Sequence, residues 1–244
     1  MAIIKNPLTI VQTGGENRLN EFLNGSLTVL EASDFDGMTS IPDYCFYYKT
    51  TLAGVTLPST ITSIGNYAFS NCKSLTSITI PEGVTSIGYR AFEYCLILTS
   101  ITIPVGVTSI GNNTFYYCMN LTSISLPSNL TSIGNFALAY CSRLTSISLP
   151  SSVTSIGSSA FYGCSRLTSI SLPSSVTSIG SSAFRTCTRL TTMRVEATTP
   201  PTLSNTNAIS SATTKIYIPA GTLSAYQSAT NWSNFASLFE ELPA

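Results

Sequence analysis

The run Leu144-Thr-Ser-Ile147-Ser-Leu149-Pro150-Ser-Ser-Val153-Thr-Ser-Ile156-Gly157-Ser-Ser-Ala160-Phe161-Tyr-Gly-Cys164-Ser-Arg166 is one 23-residue unit of a repeat. Pro58, Pro81, Pro104, Pro127, Pro150 and Pro173 recur at that period. The series from Gly65 to Gly180 and from Cys72 to Cys187 keep the same step. A fixed period of this length is the signature of a solenoid, in which each unit stacks on the last.

Within the unit, Leu-Thr-Ser-Ile-x-Leu alternates apolar and hydroxyl residues, the pattern of a short strand with Leu, Ile and Leu inward. Strands of successive coils then pair in parallel about 4.8 Å apart. Proline after the strand removes a donor and turns the chain. Val-Thr-Ser-Ile is a second extended piece, ending at a glycine suited to a positive-φ bend. Ala-Phe-x-x-Cys has the spacing of one helical turn with its apolar side buried. One unit alone buries too little apolar surface to offset the entropy of ordering it, so only the stack is stable.

The period extends beyond the clear repeats. Leu52, Val55 and Leu57 make 41–63 a true unit, with Cys45 and Lys49 in the Ala and Cys positions. Met193 and Val195 keep the strand, and Ile216 and Ile218 predict a last strand near 215–218. Pro200-Pro201 predicts an irregular arm. Thr222 is a candidate helix N-cap, with Trp232 and Phe235 covering the open end. Leu27-Thr-Val-Leu30 reads as a degenerate first strand. The expected organisation is 1–40 as an N-terminal cap or attachment segment, 41–196 as the solenoid, and 197–244 as an irregular last repeat and C-terminal cap.

Composition narrows the chemistry. The chain holds no His, so imidazole bases and His-containing metal sites are excluded. Only 9% of the residues are charged, while 43% are hydrophobic and Ser and Thr together number 72. Hydrophobic content of that size is material for a core and argues against disorder. Lys and Arg equal Asp and Glu at 11 each, which disfavours a nucleic-acid binder. No apolar run has the length of a membrane span or of a secretory leader, so no membrane insertion is expected. No nucleophile motif is present, and pairs such as Asp34/Asp36 and Glu240/Glu241 read as solvated or helix-end charge. The expectation is no enzyme, no cofactor and no metal. Cys spaced by one repeat forms a line rather than a tetrahedral cluster, which points to buried structural thiols.

Two ladders depart from the consensus. Tyr94, Tyr117 and Tyr140 precede ladder cysteines, with Tyr116 and Tyr162 one place earlier in their units. Such rings present a rigid contact surface or simply pack on one another. Arg143, Arg166 and Arg189 share one position in three successive units, near Arg185 and Arg194. Residues 101–195 hold five basic and no acidic residues, so the neutral chain is polarised. Arginines about 5 Å apart repel by only about 0.8 kcal/mol in water, so the fold tolerates the row without a ligand. With a ligand, it fits acidic protein or anionic glycan. The outward hydroxyls Thr79, Thr102, Ser125, Ser148 and Ser171 suit a soluble strand face, and could also bond a glycan or peptide.

These units closely resemble the BspA-like leucine-rich repeat family, whose pattern Leu-x-x-Ile-x-Leu-Pro-x-x-Val-x-x-Ile-Gly-x-x-Ala-Phe-x-x-Cys covers roughly 41–196. Ile216-Tyr-Ile-Pro219 through Trp232 resembles the family's closing segment. The resemblance implies an α/β solenoid: a curved leucine-rich repeat stack with a parallel β-sheet, short helical turns and terminal caps. For function it implies a non-catalytic interaction module, a secreted or surface-attached bacterial adhesin binding a host or matrix protein or glycan. No leader, sortase signal or membrane anchor is visible. The opening Met1-Ala-Ile-Ile-Lys-Asn-Pro7 is similar to that of some prophage tail proteins, so the alternative is a phage-like tail component.

Overall fold

The computed structural model describes residues 28–35 and 37–243. The expectations for 1–27 and for Asp36 lie outside the described residues. The chain winds as a parallel β-solenoid of about nine turns. The α/β expectation is corrected to a β-solenoid with few helices. Among the described residues the one α-helix is Leu223–Ser228, with 3-10 turns at Ala32–Phe35, Thr206–Ala208 and Trp232–Leu238.

Each coil has three walls. Wall A carries the Leu-x-x-Ile-x-Leu strands. Val29–Leu30, Gly54–Thr56 and Ser77–Thr79 pair in parallel, as do Ser100–Thr102 and Ser123–Ser125. Ser169–Leu172, Thr192–Val195, Lys215–Ile218 and Phe239–Glu241 form a further run. The last predicted strand thus falls at 215–218. Leu30 pairs with Val55, two residues beyond the repeat step, so the first described coil is longer than the rest.

Wall B carries the short Ser-Ile strands. Ser40–Ile41, Ser63–Ile64 and Ser86–Ile87 pair in sequence, and Ser109–Ile110 begins a second run that ends at Thr202–Leu203. Thr202 pairs with Ser178, so the coil after Pro200-Pro201 keeps its wall B strand.

The third wall is not the helical turn that the Ala-Phe-x-x-Cys spacing predicts. In one coil the amides alternate. Ala91, Glu93 and Cys95 donate to the carbonyls of Gly88, Arg90 and Phe92, each three residues back. Arg90, Phe92 and Tyr94 donate instead to Asn112, Thr114 and Tyr116 of the next coil, at 3.3, 2.9 and 2.8 Å. A helix would spend every N–H inside its own coil, leaving nothing to join this wall to its neighbour. Residues such as Arg90 (φ 54°) and Tyr94 (φ 56°) turn the backbone left-handed at both ends of the segment. Ala91, Phe92 and Cys95 are still fully buried, so the inward set is the one expected and only the backbone differs.

The glycine ladder is also corrected. Gly65 to Gly180 do not have positive φ. Their role is close approach: a Cβ on Gly88 would stand 2.5 Å from the amide nitrogen of Asn66 in the preceding coil.

Phenylalanines fill the core behind the turn wall. Phe46, Phe69, Phe92 and Phe115 stack with centroids 5.1, 5.4 and 5.6 Å apart. All seven described cysteines are free and buried. Each ladder thiol donates to a carbonyl of the preceding coil, as Cys118 Sγ does to Phe92 O at 3.2 Å and Cys187 Sγ to Phe161 O at 3.0 Å. Burial pushes Cys72 and Cys187 up to about 12.

Between the last two wall A strands, Trp232 and Tyr226 are fully buried. Trp232 Nε1 donates to Pro201 O and Tyr226 Oη to Ala197 O, both at 2.7 Å. Thr222 occupies the N-cap position, but its hydroxyl bonds Pro219 O at 2.6 Å and caps no helix amide.

Wall A has two interruptions: Ser77–Thr79 is not paired with Ser100–Thr102, and the wider break follows Ser123–Ser125. Residues 146–149 belong to no strand, and no backbone hydrogen bond joins them to the strands on either side. Ile124, Leu126, Ile147 and Leu149 are only partly buried there, against a fully or nearly fully buried Ile170 and Leu172 one coil on.

Candidate functional site

The turn wall places residues of the same unit position side by side, because its inter-coil hydrogen bonds lock the register. Tyr94 N donates to Tyr116 O, Tyr117 N to Ala139 O at 2.9 Å, and Tyr140 N to Tyr162 O at 2.7 Å. Tyr94, Tyr117 and Tyr140 all have left-handed backbone, with φ 56, 60 and 62°. Their rings stack at 4.9 Å and 4.3 Å between centroids, inclined by 15 and 24°. Tyr116 meets Tyr94, Tyr117 and Tyr140 edge-on, and Tyr162 tilts against Tyr140 at 5.3 Å. The five tyrosines singled out in the sequence are therefore one connected group. They pack on each other and remain half-exposed. Partial burial, joined by the neighbouring phenols, raises the hydroxyls of Tyr94 and Tyr116 and pushes Tyr140 up to about 12.

The sequence reading missed a second aromatic group at the other end of this wall. Tyr44 stacks on Tyr67 at 4.7 Å and 9°, and Tyr47 contacts Tyr44, Tyr48 and Tyr67. Tyr67 meets Tyr89 at 5.4 Å, and the Arg90 guanidinium lies over the Tyr89 ring at 5.0 Å. The signal was available: stepping back by 23 from Tyr94 gives Asn71 and then Tyr48. Between the groups lies Glu93, nearly buried, paired with Arg90 at 3.3 Å and accepting from Ser70 Oγ at 3.3 Å. Burial raises its carboxyl, opposed by Arg90 and Ser70.

The arginines separate into three places. Arg143, Arg166 and Arg189 are exposed at one corner of three successive coils. Register there is fixed just upstream, where Ser165 Oγ bonds Ser142 O and Thr188 Oγ1 bonds Ser165 O, each at 3.4 Å. Arg185 lies on the turn wall, one coil beyond Tyr162 in its column, and its carbonyl accepts from Gly163 N at 3.0 Å. Arg194 is on wall A, held by Glu196 at 3.2 Å, away from the corner row.

Other polar groups serve the stack. Thr62, Thr85, Thr131, Thr154 and Thr177 each donate a hydroxyl to the carbonyl one coil back. The ladder hydroxyls from Thr79 to Ser171 are exposed. Asp34 accepts from Glu31 N, Glu240 pairs with Lys215 at 2.8 Å, and Glu241 accepts from the helix amide of Leu223. Among the described residues no group of three His, Cys, Asp or Glu could hold a metal, and no helix is long and apolar enough to cross a membrane.

A family model described as a BspA type leucine rich repeat region matches six copies over residues 39–154 and 131–237. Among solved structures, the chain is similar to a T. pallidum leucine-rich repeat protein. Identity is 26% over 83% of this chain and 89% of that one, with a TM-score of 0.59. A leucine-rich repeat protein from Bacteroides ovatus is 26% identical over 84% and 64%, TM-score 0.45. A leucine-rich cell surface protein from Faecalibacterium prausnitzii is 22% identical over 85% and 84%, TM-score 0.46. No curated protein matches.

Proposed function

The chain belongs to the BspA-type leucine-rich repeat family, and we propose that it is a non-catalytic interaction module whose turn-wall tyrosines contact a partner protein. The observation that carries this reading is the stacked row Tyr94–Tyr117–Tyr140, half-exposed and fixed by the coil register. Stacked rings lose little freedom on binding, since each is already held by its neighbours. Tyrosine combines a large apolar face with a polar tip, the mixture enriched at protein contact hot spots. Exposed Tyr44, Tyr48, Met119 and Phe136 extend the surface along the same wall. In this reading the protein acts in adhesion at a bacterial surface, toward host or matrix protein.

The test is surface plasmon resonance of the immobilised full chain against purified matrix and serum proteins. The expected result is saturable binding of at least one of them. Binding should weaken ten-fold or more in the triple variant Tyr94→Ser, Tyr117→Ser, Tyr140→Ser, with the variant's circular dichroism unchanged. Absence of binding, or equal binding by the folded variant, would overturn the reading.

A further inference from the structure

We infer that the tyrosine row is a site of oxidative modification, where a haem peroxidase with hydrogen peroxide joins the rings of Tyr117 and Tyr140 by a carbon–carbon bond. This goes beyond the protein-contact reading and does not depend on it. Three observations converge.

The first is where one-electron oxidation lands. Thiols and indoles compete with phenols for such an oxidant. All seven described cysteines are buried, and burial holds Cys95, Cys141 and Cys164 in the unreactive protonated form. Trp232, the single tryptophan, is fully buried too. Met119, 44% exposed, takes up an oxygen atom instead and forms no ring bond. The half-exposed tyrosines of the turn wall are therefore the rings that an external oxidant meets.

The second is proximity. The Tyr117 and Tyr140 centroids are 4.3 Å apart, closer than Tyr47 to Tyr48 at 4.6 Å or Tyr44 to Tyr67 at 4.7 Å. Their backbones are locked in register by Tyr117 N to Ala139 O and Tyr140 N to Tyr162 O. Holding two reactive groups side by side makes their coupling unimolecular, so it outruns coupling between chains in dilute solution.

The third is electrostatic and separates the two tyrosine groups. A guanidinium over a ring is attracted by the ring's electrons, so it opposes removal of one of them. Arg90 lies over Tyr89 at 5.0 Å and over Tyr67 at 5.7 Å. Among the described residues no guanidinium lies over Tyr117 or Tyr140.

The chemistry is a two-electron coupling. Each phenol gives up one electron and its hydroxyl proton, and the two phenoxyl radicals pair through the ring carbons beside their oxygens. Those two carbons then release their hydrogens as the hydroxyls are restored. One C–C bond forms and two C–H bonds break. Two electrons and two protons pass to hydrogen peroxide, which leaves as two waters. The new bond ties the coil of 127–149, whose wall A stretch is unpaired, to the coil before it.

The experiment treats the dilute full chain with a haem peroxidase and hydrogen peroxide, then reads intact mass and chymotryptic peptides. The expected product is a monomer lighter by two hydrogen atoms, with Tyr117 and Tyr140 in one cross-linked peptide as the main link. In urea the share of that link among all tyrosine links should fall at least three-fold. Tyr117→Phe leaves Tyr94 and Tyr140 two coils apart and should lose most of the monomer's cross-linking, whereas Tyr162→Phe should keep it. Both variants retain the ring, so the stack is not put at risk. Four results would each overturn the proposal: no loss of hydrogen, a main link between other tyrosines, a share unchanged in urea, or wild-type yield in Tyr117→Phe. None of these measures partner binding, so failure here leaves the protein-contact reading standing.

Discussion

The ring of Tyr140 lies across Gly163, so close that a Cβ on residue 163 would stand 2.9 Å from Tyr140 Cδ1. Gly163 ends the tyrosine row: it occupies the left-handed column (φ 72°) that Tyr94, Tyr117 and Tyr140 fill in earlier coils. Gly163→Ala adds both a left-handed backbone penalty and a ring displacement. The expected loss is about 1–3 kcal/mol, read from urea midpoints. In a double-mutant cycle with Tyr140→Ala, part of that loss should disappear. Strict additivity would show that ring and glycine are uncoupled.

Glycines of the wall B ladder should differ from one another although they share a unit position. A Cβ on Gly157 would stand 2.6 Å from the Asn135 backbone nitrogen, whereas on Gly111 its nearest neighbour is Thr114 Oγ1 at 3.3 Å. Neither has positive φ, so the difference is one of contact alone. Gly157→Ala is expected to cost about 2 kcal/mol or more and Gly111→Ala about 1 or less. Equal melting temperatures for the two variants would contradict this.

Thiol chemistry should mirror the burial of the cysteine ladder. A disulfide-exchange reagent is expected to leave Cys72, Cys95, Cys118, Cys141, Cys164 and Cys187 unmodified in the native protein and to modify all of them in denaturant. Their thiolates are suppressed by burial, and the thiolate is the reactive form. Fast modification of several in the folded state would refute the closed core.

Alkali should unfold the protein through the same groups. Cys72 and Cys187 rise from 9 to about 12, and Tyr140 from 10 to about 12. The folded state therefore keeps protons that the unfolded chain releases. This contribution is complete below pH 9 and is lost as pH climbs toward 12. With no His, little should change between about pH 5 and 8. Urea midpoints flat through neutrality and falling above pH 9 are expected; a constant midpoint to pH 11.5 would contradict the assignment.

Amide exchange should separate two identical stretches. Leu144–Gly157 and Leu167–Gly180 have the same fourteen residues. Ser169–Leu172 pairs with Thr192–Val195, whereas 146–149 pairs with neither side. Ile147 and Leu149 amides are expected to exchange at least ten-fold faster than those of Ile170 and Leu172. Equal protection would place 146–149 in a closed sheet.

Much of the molecule was legible in the repeat. Ile78, Phe92 and Cys95 were assigned inward from alternation and period, and all are buried. The tyrosine and arginine columns follow from the same count. The turn was misread because positions one, two and five of Ala-Phe-x-x-Cys point inward both in a helical turn and in a turn flanked by left-handed residues. Choosing between them depends on where the N–H groups go, and the acceptors for Arg90, Phe92 and Tyr94 belong to another coil. The glycine ladder was misread for a similar reason: the obstacle to a side chain at Gly88 is the Asn66 backbone, which is distant in sequence.

By itself the sequence determined the period, the inward set of each coil and hence the family of fold, because side-chain burial repeats with the chain's own count. Only the tertiary structure decided which walls close. The proof is the pair of identical stretches, one a paired strand and the other open at 146–149. Strand pairing is a property of two coils at hydrogen-bonding distance, and no coil carries in its own residues the position of the next.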